Sequence, residues 1–443
     1  MKTALQLTAL GFTFVMLAGC SPESATLSTV RPVTQPAPPK FASPEPLPQA
    51  QRPEFAKPAP LEQSTPPVFE SVQEQKSAWI TEDGGQSQLD FNPQVDILFV
   101  IDNSDSMKSA QSNLVSNIGR FTEKIVQNKM IDFHIGVIST WDSSERFATT
   151  KKDPFGIGEL RFVKSATGQT SDSRFITRQN QSLMASTLAI GVASYADGGP
   201  ENEEFFSPLV AALEKSGRGA PNEGFFRPEA QLVVVLMTDA DDSNSTLSHE
   251  QVVSKLVEFK GGRKEKVSVY GVLVKAADPD QYKDWALRVH PKYNPQCFDI
   301  TAKANGTCAK GLGPERLEQF IIAANMDSGT PADVRAKYII SIISKNFGSD
   351  LAKIGNDVKK KTLMKEIFLS QVPVVEEGKV QIRVRYGTAA EIAAGRGQLL
   401  PQGAKGGWLF SPENNSVRLS GDIAYQYKEG ARFAVDLKPV ILK

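Results

Sequence analysis

The sequence predicts an open α/β domain, a Rossmann-like parallel sheet with helices on both faces, followed by a small C-terminal β domain. Two observations predict the first part. Apolar runs at residues 95–101, 133–138, 230–237 and 267–274 suit strands buried on both faces. Segments of helical period stand between them, and alternation of this kind argues for a parallel sheet covered on both sides. The third observation concerns the end of the chain. From about Glu366 the apolar residues alternate, as in Val380-Ile382-Val384, Trp408-Phe410, Val417-Leu419 and Phe433-Val435-Leu437, with Gly and Asn turns between. That texture is a β domain, read as a sandwich.

The chain has 443 residues, with 50 Lys plus Arg balanced by 50 Asp plus Glu, and it allows two or three domains. The balance gives no pointer to nucleic acid or an anionic membrane surface. Three His and three Cys are too few and too scattered for a Cys/His zinc site. At the start, Met1-Lys2-Thr3 precedes a mostly apolar run over residues 4–17 that is too short to span a bilayer. Leu17-Ala18-Gly19-Cys20 then resembles the lipobox of bacterial lipoproteins, which implies export, lipidation of Cys20 and residues 1–20 as signal. Ser21, where an Asp would mark retention, resembles lipoproteins sorted to an outer membrane. Each buried acyl CH2 contributes about 0.8 kcal/mol to such an anchor. Residues 21–88 are read as a proline-rich tether, since Pro recurs among Ala, Gln and Ser with little apolar surface to offset ordering entropy.

The α/β domain is expected over residues 89–365. After the first strand, Met107, Ala110, Leu114, Ile118, Phe121 and Ile125 fall at steps of three or four, one face of an amphipathic helix. Residues 133–138 form the second strand, and the polar passage 141–180 a surface hairpin or irregular loops. Residues 183–195 are weakly helical up to Gly198-Gly199-Pro200, and the next helix holds Leu209, Val210, Ala212 and Leu213. Residues 249–259 are a helix with Ser248 as cap. Residues 315–324, 332–345 and 351–361 are helical by pattern, the last closing the domain before the β domain of residues 366–443.

Two strands end alike. The run 95–101 stops at Asp102, with Ser104 and Ser106 at two-residue steps, and the run 230–237 stops at Thr238-Asp239. In open parallel sheets ligands bind outside the carboxyl ends of the strands, where strand order reverses. A carboxylate and two hydroxyls at one strand end, with a second carboxylate at another, are hard oxygen donors suited to Mg2+, or to Mn2+ or Ca2+. A structural alternative stands beside this: Ser106 as a cap of the following helix and Asp239 as a turn residue. Asp241 and Asp242 read as a solvated acidic loop.

Asp102-Asn103-Ser104-Asp105-Ser106 after a buried strand, with Asp239 in VVVLMTD, resembles the von Willebrand factor type A domain and its metal-ion-dependent adhesion site, or MIDAS. The passage NEGFFRPEAQLVVVLMTDADDSN and the C-terminal β domain resemble a secreted bacterial subgroup. The resemblance implies direct cation ligation by Ser104 and Ser106, ligation by Asp102 and Asp239 directly or through water, and a partner protein's carboxylate completing the shell. A further ligand, a Thr or in some members a Glu, is expected from a later loop. DGGPENEEFFSPL offers no matching Thr, and Glu204, or Glu203 beside it, is the candidate.

With Cys20 lipidated, Cys297 and Cys308 are the two thiols left in an exported chain, and a disulfide between them is expected, worth about 3 kcal/mol. Zinc is the weaker alternative, with only His290 nearby. No nucleophile elbow, Walker loop or HExxH helix is found. The expectation is a lipid-anchored protein of the outer membrane or cell surface, not an enzyme, that binds a partner protein through a divalent cation. A metal-independent scaffold of the envelope is the second reading.

Overall fold

The computed structural model describes residues 78–82, 89–150, 153–243, 246–275 and 314–440. Cys20, the tether up to residue 77, and Cys297 and Cys308 lie outside the described residues. In chain order the first elements are β1 (Ile80–Thr81), β2 (Gln94–Ile101), α1 (Lys108–Val126), β3 (Asp132–Ser139), α2 (Glu145–Thr150) and α3 (Met184–Leu188). There follow α4 (Phe206–Glu214), β4 (Gln231–Met237), α5 (His249–Phe259), β5 (Val267–Leu273), α6 (Glu315–Asn325), α7 (Pro331–Tyr338), β6 (Ile339–Ser341) and α8 (Phe347–Leu363). The β domain holds β7 (Lys365–Phe368), β8 (Val375–Glu376), β9 (Lys379–Val380), β10 (Ile382–Thr388), α9 (Ala389–Ala393), β11 (Gln398–Leu400), β12 (Trp408–Ser411), β13 (Ser416–Leu419) and β14 (Ala431–Leu437).

The five strands of the α/β domain are parallel, in the order β3-β2-β4-β5-β6. The chain steps from β2 outward to β3 and returns to the other side of β2 as β4. The strand order therefore reverses between β2 and β4, and a crevice opens at their carboxyl ends. All seven residues of β4 and of β5 are buried, as continuous apolar runs require between two helix layers. The apolar face of α1 packs along α8, and α5 packs against α6 and α4. The α1–α8 approach depends on Gly355, where a Cβ would lie 1.9 Å from the Phe121 carbonyl oxygen. α5 begins with the expected Ser248, in a full capping box with Gln251. The outer edge of β3 is covered by the polar passage, since Ile135 and Ile176 exchange backbone hydrogen bonds of 2.9 and 2.7 Å.

Three expectations need correction. Residues 332–345 are not one helix: the chain leaves α7 after Tyr338, and Ile339–Ser341 pairs with Gly271–Leu273 as the fifth strand. An open strand edge and two adjacent Ile residues favour pairing over another helical turn. The tether reading fails at residues 80–81, where β1 pairs antiparallel with β14 and the Glu82 carboxylate accepts the Ser370 amide at 2.8 Å. The polar passage also contains the short helix α2. In the β domain, the sheets β1-β14-β10-β11 and β12-β13-β7 enclose one core, to which Leu89 and Phe91 from the approach to β2 contribute.

Asp96 interrupts the apolar run of β2 and is fully buried. Its carboxylate accepts the Arg227 amide at 2.7 Å and Nε at 2.8 Å, and Lys260 Nζ lies 3.8 Å away. Lys260 also donates to the Arg227 carbonyl at 2.6 Å, and burial lowers its pKa to about 8. Removing one member of a buried ion network strands the others, at a cost of about 3–5 kcal/mol. Arg227→Ala is accordingly expected to lose about that much in urea denaturation, and a loss below ~1 kcal/mol would show that Asp96 finds water instead.

Candidate metal centre

The register that pairs Ile101 with Met237 sets the next residues of both strands side by side, and the Asp102 amide donates to the Met237 carbonyl at 2.9 Å. Four of the predicted residues then form one hydrogen-bonded chain. The Ser104 amide donates to Asp102 Oδ1 at 2.7 Å, the Ser104 and Ser106 hydroxyl oxygens are 3.0 Å apart, and the Ser106 hydroxyl donates to Asp239 Oδ1 at 3.0 Å. Thr238, beside Asp239, donates its hydroxyl to Asp102 Oδ2 at 2.8 Å. Neither serine serves as a helix cap: no side-chain cap bond forms at Ser104 before the 3-10 turn Asp105–Met107, and the residue that opens α1 is Met107.

The surrounding chain holds this arrangement in place. Gln111 on α1 donates to the Asp102 carbonyl at 2.8 Å and to the Gly191 carbonyl at 3.0 Å, and accepts the Gly191 amide at 3.1 Å. The Ala193 amide donates to the Asn103 carbonyl at 2.9 Å, and the Thr140 hydroxyl donates to Asn103 Oδ1 at 3.0 Å. Asp102 is fully buried and Asp239 is 4 % exposed. Burial, and then the charge of Asp239, push the Asp102 carboxyl up to about 7, against the opposing bonds from Ser104 and Thr238.

Glu204 is held by neighbouring loop and helix groups. Its Oε1 accepts the Ser143 amide at 3.0 Å and its Oε2 accepts the Ser207 hydroxyl. At Glu203, burial and then the charges of Asp102, Asp239 and Asp142 raise the carboxyl pKa well above the usual range. Glu204 pairs with Trp141 through backbone bonds of 3.2 and 2.7 Å. Burial opposes the charge of Asp142, but the amides of Glu201, Ser144 and Asn202 outweigh it and hold the carboxyl below its ordinary range. The bonds from Glu201 and Asn202, at 3.0 and 3.2 Å, anchor the loop that carries Glu203.

Asp241 and Asp242 are not a solvated loop. Asp241 accepts the Arg316 and Leu317 amides at 2.9 and 3.1 Å, and Asp242 accepts the Phe205 and Phe206 amides at 2.7 and 3.0 Å. Each carboxylate satisfies orphan N–H groups at the start of a helix, α6 and α4 respectively. Their sequence signal was only an acidic run, because the partners lie far along the chain.

Among the described residues, no three His, Cys, Asp or Glu side chains stand together as a ligand set. The donors here are instead two carboxylates and two hydroxyls. Hard oxygens of this kind fit Mg2+, Mn2+ or Ca2+, and a cation's charge would offset the repulsion between Asp102 and Asp239.

No protein-family model matches the sequence, and no curated protein matches it. Among solved structures, the chain is similar to proximal thread matrix protein 1 from the mussel byssus, at 13% identity and a TM-score of 0.32, over 63% of this chain and 50% of that one. The chain thus spans about half the length of the mussel chain. Another structure of that protein has a zinc-occupied MIDAS motif. A von Willebrand factor type A protein from Catenulispora acidiphila matches at 11% identity and a TM-score of 0.30, over 84% of this chain and 68% of that one. The pilus adhesin SpaC from Lactobacillus rhamnosus GG matches at 8% identity and a TM-score of 0.31, over 78% and 39%.

Two like charges buried side by side should make two substitutions at Asp102 behave differently. Asp102→Asn keeps an acceptor for the Ser104 amide, offers an NH2 to Thr238 Oγ1, and removes a buried charge beside Asp239. In chelator-treated protein it should unfold at the wild-type temperature or above, whereas Asp102→Ala, which strands both donors, should fall by about 1–3 kcal/mol. A comparable fall for Asp102→Asn in differential scanning calorimetry would contradict the reading.

Proposed function

We propose that this protein binds a partner protein through a divalent cation held by Asp102, Ser104, Ser106 and Asp239, on an exported chain anchored to the outer membrane or cell surface through Cys20. The observation that supports it most is the meeting of these four oxygen side chains at the switch point of the sheet, with two carboxylates adjacent and buried. A bound cation there would supply a Lewis-acidic point whose open positions accept an external oxygen. An acidic side chain of a partner suits it best, by charge. Mg2+ is the first choice for hard oxygen donors, with Mn2+ or Ca2+ as alternatives. We read the role as adhesion or surface assembly rather than catalysis, since the residues that meet here are ligands and their anchors. The proline-rich residues 21–77 would give the domain reach from the membrane, and a Cys297–Cys308 disulfide would suit the oxidising compartment.

The scaffold reading has one observation on its side: the hydroxyls of Ser106 and Thr238 already give the carboxylates hydrogen bonds. Calorimetric titration with Mg2+ and Mn2+ separates the two. Binding should raise the unfolding free energy by about 2.7 kcal/mol at a hundredfold excess over Kd, and Asp239→Ala should abolish both the heat and the rise. No heat and no thermal shift would favour the scaffold. The anchor has its own test. Labelled palmitate should enter the wild-type chain and not Cys20→Ser, which should leave the membrane fraction. Unchanged fractionation of the Ser variant would refute lipidation.

A further inference from the structure

We infer that Asp242, with Arg316 as its counter-ion, is a positioning residue of the cation site, locking the loop that carries Asp239 to the loop that carries Glu203. This inference rests on the cation reading above and adds to it the residues that set the spacing of the two acidic loops. Asp242 lies three residues after Asp239 and is 3 % exposed, a burial that no ordinary surface turn needs. Its Oδ1 accepts the amides of Phe205 and Phe206 at 2.7 and 3.0 Å, the two residues that follow Glu203-Glu204. The next residue continues the seam: the Ser243 amide and hydroxyl both donate to the Glu203 carbonyl at 2.9 Å. From Asp239 to Ser243, the chain thus carries a candidate ligand and then two consecutive ties to the opposite loop.

Arg316 closes the seam from a third element. Its NH2 lies 3.3 Å from Asp242 Oδ2 and donates to the Leu247 carbonyl at 2.6 Å, and its guanidinium sits 5.3 Å from the centre of the Phe206 ring. Its backbone amide meanwhile donates to Asp241 at 2.9 Å, and the Asp242 amide donates to the same carboxylate at 2.9 Å. Loss of the Asp242 carboxylate would release the first turn of α4 and leave Arg316 without its acid. Between the two loops the Ser243 bonds to the Glu203 carbonyl would remain, without the clamp on the start of α4 that fixes where Glu203 sits. A group that holds ligands in place without touching the metal commonly changes metal affinity by about 10–100-fold.

The test is Mn2+ titration by calorimetry of the folded, full-length protein. Asp242→Ala should lose at least ~10-fold in affinity, and Asp242→Asn, which keeps the acceptor for both amides, should recover part of it. Leu419→Ala in the β-domain core serves as the control: it lowers the melting temperature and leaves Mn2+ affinity unchanged. Since coupling is reciprocal, Mg2+ should slow hydrogen exchange at the Phe205 and Phe206 amides of the wild type. That second readout stands even where Asp242→Ala fails to fold. Wild-type affinity in folded Asp242→Ala, or exchange at Phe205 and Phe206 that ignores Mg2+, overturns the inference while leaving the cation site standing. A wild-type chain that binds neither Mn2+ nor Mg2+ overturns the cation reading, and this inference with it.

Discussion

Two carboxylates that repel each other in a buried place are the constraint around which this domain is arranged. The parallel register of β2 and β4 leaves no choice in the matter, because Ile101 opposite Met237 puts the following residues of both strands at the same crevice. Asp102 then depends on a backbone amide and the Thr238 hydroxyl to tolerate its burial, and Asp239 takes the Ser106 hydroxyl. Much of the surrounding detail serves that arrangement. Gln111 reaches back from α1, Asn103 is held by Thr140 and Ala193, and the loop with Glu203 is tied to Asp142 and Ser243.

The two ends of β2 handle buried charge in opposite ways. At its start Asp96 is answered directly by Arg227, with Lys260 close by, so the network is complete within the protein. Six residues on, about 20 Å at ~3.3 Å per residue, Asp102 is answered by neutral donors while the neighbouring charge is of its own sign. The ion network at the base of the sheet is thus closed within the protein, whereas the acids at its top have only neutral donors as partners. The same logic separates the acids after β4: Asp241 and Asp242 are used up on helix amides and Arg316, and Asp239 faces the crevice residues.

The strand-end acids were legible in the sequence because apolar runs mark buried strands, and a polar residue that ends one must sit at the end of the sheet where the chain leaves it. Ser104 and Ser106 came with Asp102, and the helix after them was plain from its period. The surroundings of Glu203 and Glu204 were not legible, since Trp141, Ser143 and Ser243, which tie down this stretch, lie far from it in the chain. The role of Asp96, inside the apolar run 95–101, was not legible, because its partner Arg227 lies 131 residues away and no local pattern links them. Ile339–Ser341 read as helix because its role as the last strand depends on an open edge of β5. The N-terminal segment 80–82 looked like the end of a polar tether, and it was recruited by the edge of β14, which a sequence window cannot display.

Anomalous diffraction from crystals grown with Mn2+ asks, without reference to any partner, whether one divalent cation sits between the two strand ends. The expected result is a single strong manganese peak within coordinating distance of Asp102, Ser104, Ser106 and Asp239, lost in crystals of Asp239→Ala. A map with no peak there, or with manganese only at other carboxylates, would contradict it.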